Sequence, residues 1–290
     1  MRLRPWFLLA GLASIAGPLL LAQSPAMNLP AQVVAGGALS IPTSGSGQGT
    51  LTIVGPGQAL RRTVQLGSPV SLAAGVLFNA GEYVAILSSG SDEQVAQFEV
   101  TPAPKPAKLS FLAEPSRLPV DLENGVSGTV YVFDVYHNLI LSPTPVSFNL
   151  SDSSGPSQTR TATSRDGVAW TRMNSASKEG SAHFVAQVGA VTATRVVDEV
   201  PGDPCNLSMT ATPDSGKAKL QTAPVRDCSG NPIPDGTIVT FTASFNGKQS
   251  TVDVPLKKDI AEVEMPLPAG ATISVASGVV AGNEIHWSGR

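Results

Sequence analysis

A stretch of fifteen residues recurs within the chain and limits what it can fold into. DCSGNPIPDGTIVTF, Asp227 to Phe241, is matched 93 positions earlier by DVYHNLILSPTPVSF, Asp134 to Phe148. The pairs Asp134/Asp227, Asn138/Asn231, Ile140/Ile233, Thr144/Thr237, Val146/Val239 and Phe148/Phe241 are identical with no gap. A period of this length fits a duplicated β-domain of immunoglobulin size, about 100 residues. In each copy a polar turn precedes a stretch in which alternate residues are apolar, the pattern of a half-buried strand.

The surrounding composition agrees. The chain has 28 Gly and 24 Pro among 290 residues, which interrupt helices and mark frequent turns. The fold class expected is therefore all-β: three tandem immunoglobulin-like β-sandwiches after an N-terminal signal peptide. The formal net charge is −3, so the chain lacks the basic surplus of a nucleic-acid binder.

Arg2 and Arg4, the apolar run Trp6 to Ala22, and the small residues Ser24 and Ala26 form the three parts of an export signal. Residues 1–26 are assigned to it, with cleavage after Ala22 or Ala26 both open. Retention as an anchor is the alternative, because the run is slightly shorter than the ~20 apolar residues of a spanning helix. No later segment of the sequence is apolar enough to span. The two cysteines, Cys205 and Cys228, are expected to form a disulfide in an oxidising compartment. They lack the matched partners of a zinc site and the spacing of a CxxC redox motif.

The first sandwich is placed at 28–101. Short strands are expected at QVV, ALSI, TLTIV, RTVQL and SPVSL, with EYVAIL and VAQFEV last. Tyr83, Ala85 and Leu87 are expected to face inward, as are Val95, Gln97 or Ala96, Phe98 and Val100. Tyr83 follows Ala80-Gly81 and resembles a tyrosine corner, with simple core packing as the alternative. Residues 102–108, rich in proline, form a stiff linker. The second sandwich occupies 109–199, a short linker with Gly202 occupies 200–204, and the third sandwich occupies 205–290. Asp166 aligns with Asp259 and Trp170 with Val263, so Trp170 is expected in the core.

The sequence Asp227 to Phe241, with Asn-Pro-Ile-Pro-Asp-Gly ahead of Thr-Ile-Val-Thr-Phe, resembles the bacterial Ig-like repeat of the invasin/intimin type. The second domain carries the pattern in degraded form, with Leu139, Leu141 and Pro143 where the third has Pro232, Pro234 and Gly236. The resemblance implies exported, surface-exposed spacers and adhesive modules, and no catalysis.

The chemistry-bearing residues point the same way. His137, His183 and His286 are dispersed, and no GxSxG elbow or helix-entering glycine loop is present. No catalytic residue, cofactor or metal is assigned. Asp198, Glu199 and Asp203 at the second linker, together with a loop oxygen of Asn231 or Asp235, are candidate Ca²⁺ ligands, since oxygen ligands suit that ion, but they lack the spacing of a calcium loop; a solvated hinge is the other reading. Trp170 and Trp287 are the residues that would stack on a sugar. Two functions follow: a surface spacer or adhesive module binding a protein or glycan at the cell envelope, or a periplasmic accessory subunit of a secretion or polysaccharide assembly.

Overall fold

The computed structural model describes residues 24–152 and 157–289. The expected signal segment lies outside the described residues up to position 23. The chain divides into two compact units, Met1–Thr101 and Pro102–Arg290. Among the described residues all regular structure is β-strand, and no helix is long and apolar enough to cross a membrane.

In the first unit the strands are β1 (Ala26–Met27), β2 (Gln32–Val34), β3 (Leu39–Ile41), β4 (Thr43–Ser44) and β5 (Gln48–Gly55). They are followed by β6 (Gln58–Gln65), β7 (Val70–Leu72), β8 (Gly81–Ser89) and β9 (Asp92–Thr101). The main sheet runs β2-β9-β8-β5-β6, with β2 parallel to β9 and the other pairs antiparallel. β3 and β7 form a second sheet, whose Leu39, Ile41 and Leu72 are buried. β1 pairs with β4 and buries Met27, so among the described residues strand structure begins at Ala26, ahead of the expected boundary at 28.

Tyr83 is 1% exposed, and its hydroxyl lies 2.9 Å from the carbonyl oxygen of Asn79, four residues upstream. This is the hydrogen bond of a tyrosine corner. The ring requires Gly55 beside it, since a Cβ there would meet it at 2.2 Å. One inward assignment is corrected. Val95 is 58% exposed, while Ala96 lies opposite the buried Ala85 on the same pleat as Phe98 and Val100.

The second unit holds two sandwiches with separate cores. The first contains β10 (Lys108–Glu114), β11 (Arg117–Pro119), β12 (Val126–Phe133) and β13 (Pro145–Ser151). It continues with β14 (Gln158–Thr163), β15 (Val168–Met173), β16 (Gly180–Val188) and β17 (Val191–Val200). Its sheets are β11-β17-β16-β13-β14 and β10-β12-β15. Phe111, Phe148 and Phe184 meet at the centre with ring centroids 5.0 to 6.2 Å apart, within the usual range for aromatic pairs. Space for them depends on Gly128, where a Cβ would lie 2.6 Å from the Phe184 ring.

The other core belongs to β18 (Met209–Asp214), β19 (Lys217–Thr222), β20 (Ile238–Phe245) and β21 (Lys248–Pro255), with β22 (Glu262–Met265), β23 (Thr272–Ser277) and β24 (Val280–His286). Its sheets are β18-β19-β22 and β21-β20-β23-β24. Val225, Val239, Phe241 and Ala243 are all buried here. The hairpins β5–β6, β13–β14 and β20–β21 occupy equivalent places, each next to the strand that enters through Gly81, Gly180 or Gly270. All three glycines have positive φ, 135°, 154° and 87°, in the region other residues rarely adopt.

Candidate functional site

The repeated loop is built around its aspartate. Asp227 is 5% exposed, and its Oδ1 accepts hydrogen bonds from the amides of Ser229 at 2.9 Å and Asn231 at 2.8 Å. A short carboxylate satisfying amides two and four residues ahead is the usual reason for aspartate at a loop entry. Its Oδ2 accepts from Asn231 Nδ2 at 2.9 Å and from the amide of Gly202 at 3.1 Å. The second sandwich repeats the set. Asp134 Oδ1 accepts from the amides of Tyr136 and Asn138, and its Oδ2 accepts from Asn138 Nδ2 and the amide of Ala103. His137 and Gly230, which are aligned, have φ of 67° and 81°.

Each aspartate therefore closes its own loop and also fixes the segment by which its domain begins. Burial opposes ionisation of Asp227, but hydrogen bonds from Asn231, Gly202 and Ser229 outweigh it and hold its pKa below the usual value. Arg226 braces the third-domain loop from outside, reaching the Gly230 carbonyl at 3.2 Å and Asp259 at 3.1 Å. Asp166 and Asp259, aligned in sequence, both have positive φ.

The loop of the third sandwich also contacts the second. Asn231 is 3% exposed, and Nδ2 donates to the Ser177 carbonyl at 3.0 Å while Oδ1 accepts from the amide of Glu179 at 3.3 Å. With one amide proton on Asp227 and the other on Ser177, its donor capacity is filled. Lys178 Nζ donates to the Ser229 carbonyl at 3.2 Å, and the Ser229 hydroxyl bonds to Asp121 Oδ2. Below the receiving turn lies Glu199, 3% exposed, whose Oε1 accepts from the amide of Ala176 at 2.8 Å. Its Oε2 has no hydrogen-bond partner among the described residues, and burial pushes its pKa up. The second linker is held by the amide of Gly202 on Asp227, and the residue that follows it, Cys205, by its amide on the Arg226 carbonyl.

Cys205 and Cys228 are bonded, with Cα atoms 4.9 Å apart, and join the linker to this loop. The proposed calcium ligands do not converge. Asp198 accepts from Ser181, Glu199 from Ala176, and Asp235 from the amide of Lys258, and no group of three acidic, histidine or cysteine side chains among the described residues is placed to hold a metal.

His137, His183 and His286 are exposed on a loop, on β16 and on β24 respectively. A concavity of about 390 Å³ in the third sandwich is lined by Val254, Lys257, Lys258, Ile260 and Glu262 among others, with no paired nucleophile and base. The tryptophans reverse expectation. Trp170 is 64% exposed on the edge strand β15, while Trp287 is buried in the third core. Along β15 the inward residues are Ala169, Thr171 and Met173, which alternate with the exposed Trp170.

These sheets define a chain of tandem immunoglobulin-like sandwiches, of which the second and third each carry an aspartate–asparagine loop. Among solved structures, invasin, a bacterial integrin-binding protein, is 15% identical over 91% of this chain with a TM-score of 0.47. This chain covers 59% of the length of that invasin structure. InvD of Yersinia pseudotuberculosis is 14% identical over 88% of this chain and 95% of its own, with a TM-score of 0.49. The FN1–FN3 domains of chicken CNTN1 are 10% identical over 91% of this chain and 96% of theirs, at 0.41. Neither a scan against family models nor a search of curated proteins gives a match.

Proposed function

We propose that the chain is a non-catalytic, exported Ig-like protein that acts as a spacer and adhesive module at the cell envelope, binding a protein or glycan. The observation that carries this reading is the use made of the repeated polar residues. Asp134, Asn138, Asp227 and Asn231 are satisfied by main-chain and side-chain atoms of the loops and linkers they join. Asn231, engaged in this way, ties the third sandwich to the second. A catalytic acid, base or nucleophile instead has to present a free atom to a substrate.

The disulfide adds support for export, since such bonds persist mainly in oxidising compartments. Protease treatment of intact cells, followed by detection of the released fragment, tests the location. Release supports a surface module. Protection in intact cells with release after the outer envelope is opened would replace this reading with that of a periplasmic accessory subunit.

A further inference from the structure

We propose that the Cys205–Cys228 disulfide is a reversible lock on the joint between the second and third sandwiches, opened by thiol–disulfide exchange with a dithiol oxidoreductase. On this reading it is not a staple of the third core.

Its position is the first ground. Cys205 ends the linker and Cys228 lies inside the loop whose Ser229 and Asn231 contact the second sandwich. Neither cysteine belongs to the third core, which begins after the linker at Leu207. Cys228 is exposed and Cys205 half-buried, so an incoming thiolate can reach the sulfur of Cys228.

The second ground is an internal comparison. The second sandwich builds the same loop with Val135 where the third has Cys228, and so without a disulfide. Both loops nevertheless carry the same hydrogen bonds from residues two and four ahead, from the asparagine side chain and from the linker amide. The loop therefore forms without a covalent bond. What the disulfide adds is attachment of the linker, otherwise held to this loop and its approach by Gly202 to Asp227 at 3.1 Å and by Cys205 to the Arg226 carbonyl at 2.7 Å.

The exchange balances simply. A thiolate of the dithiol attacks Cys228 Sγ, the S–S bond breaks, and Cys205 leaves as a thiolate that takes a proton. The second thiol of the reagent, as its thiolate, then attacks the reagent sulfur of the mixed disulfide, and Cys228 is released and protonated. The chain gains two electrons and two protons, and the dithiol becomes a disulfide. Access and the thiolate fraction of the attacking group govern the rate.

The test uses the oxidised full chain and dithiothreitol at neutral pH without denaturant, read by thiol alkylation and hydrogen exchange with mass spectrometry. Both cysteines are expected to alkylate. Peptides covering 198–208 and 226–234 are expected to exchange about tenfold faster, with protection in β20 and β23 unchanged, as for a local opening. Replacing dithiothreitol with glutathione is expected to leave the mixed disulfide on Cys228. The double variant Cys205→Ser/Cys228→Ser is expected to reproduce the reduced pattern and to ignore dithiothreitol.

Thiols that react only when β20 and β23 also lose protection would overturn the proposal, as would unchanged exchange at the joint after full reduction. A double variant that fails to fold, or glutathione found on Cys205 alone, counts against it equally.

Discussion

Asn231 of the third sandwich donates to the main-chain carbonyl of Ser177 in the second at 3.0 Å, while the same nitrogen donates to Asp227 at 2.9 Å. One side chain thus closes its own loop and the joint.

Asn231→Ala removes both contacts and leaves Asp227 Oδ2 and the Ser177 carbonyl short of a donor. Loss of buried partners of this kind costs roughly 1 to 3 kcal/mol. Calorimetry of the full chain is expected to show earlier unfolding of the third sandwich. Exchange at Glu179, whose amide donates to Asn231, should rise with it. An unchanged melting profile would mean that water replaces the side chain at no cost.

Asp227 gives the joint a pH dependence. Its folded pKa is depressed, so it contributes stability above the unfolded value of about 3.9, and this is lost as pH falls through the folded value. Urea unfolding at a series of pH values is expected to show that loss at the acid end. Asp227→Asn should be less stable at neutral pH and should show a flatter acid limb.

Glu199 acts with the opposite sign. Burial raises its folded pKa, so the folded state binds the proton more tightly than the unfolded chain does. Stability attributable to this group is therefore fully present below the unfolded value of about 4.3 and declines as pH rises through the folded one. Glu199→Gln keeps an oxygen for the Ala176 amide and removes the charge. It is expected to be at least as stable as the parent at neutral pH and to lose the decline, as measured by the same unfolding series.

Phe148 and Phe241 occupy matched, fully buried positions. Truncation of either to Ala is expected to cost about 3 to 5 kcal/mol in chemical denaturation. Ser147→Ala, on the outward face of β13, should stay within about 0.5 kcal/mol, and Thr240→Ala, which gives up the hydrogen bond from its hydroxyl to Asp253, should cost about 1 kcal/mol. Equal losses at all four positions would contradict the burial pattern.

The domain plan was legible because two kinds of signal coincided. The 93-residue period marked the loop, and strict alternation around Val146-Ser147-Phe148 and Val239-Thr240-Phe241 marked the faces. Where the signal was weaker, the inward set was misassigned. Trp170 is aligned with Val263, which is itself only half-buried, and the structure leaves Trp170 64% exposed while Ala169 and Met173 are buried. In VAQFEV the pleat with Ala96, Phe98 and Val100 faces inward and Val95 is 58% exposed.

The joint was less legible because the partners of Asn231 across it are backbone atoms. The carbonyl of Ser177 and the amide of Glu179 carry no residue-type signature. Glu199 is also hidden, since nothing in DEV distinguishes a buried carboxyl from a solvated one.

The side of the joint that receives Asn231 offers it only main-chain atoms, whereas the incoming loop brings the side chains that recognise them. A sandwich with its own aspartate, asparagine and entry segment is in this sense a self-fitting module. Copying such a unit within a gene would lengthen the array without requiring matched side-chain changes at those two positions in the domain ahead of it.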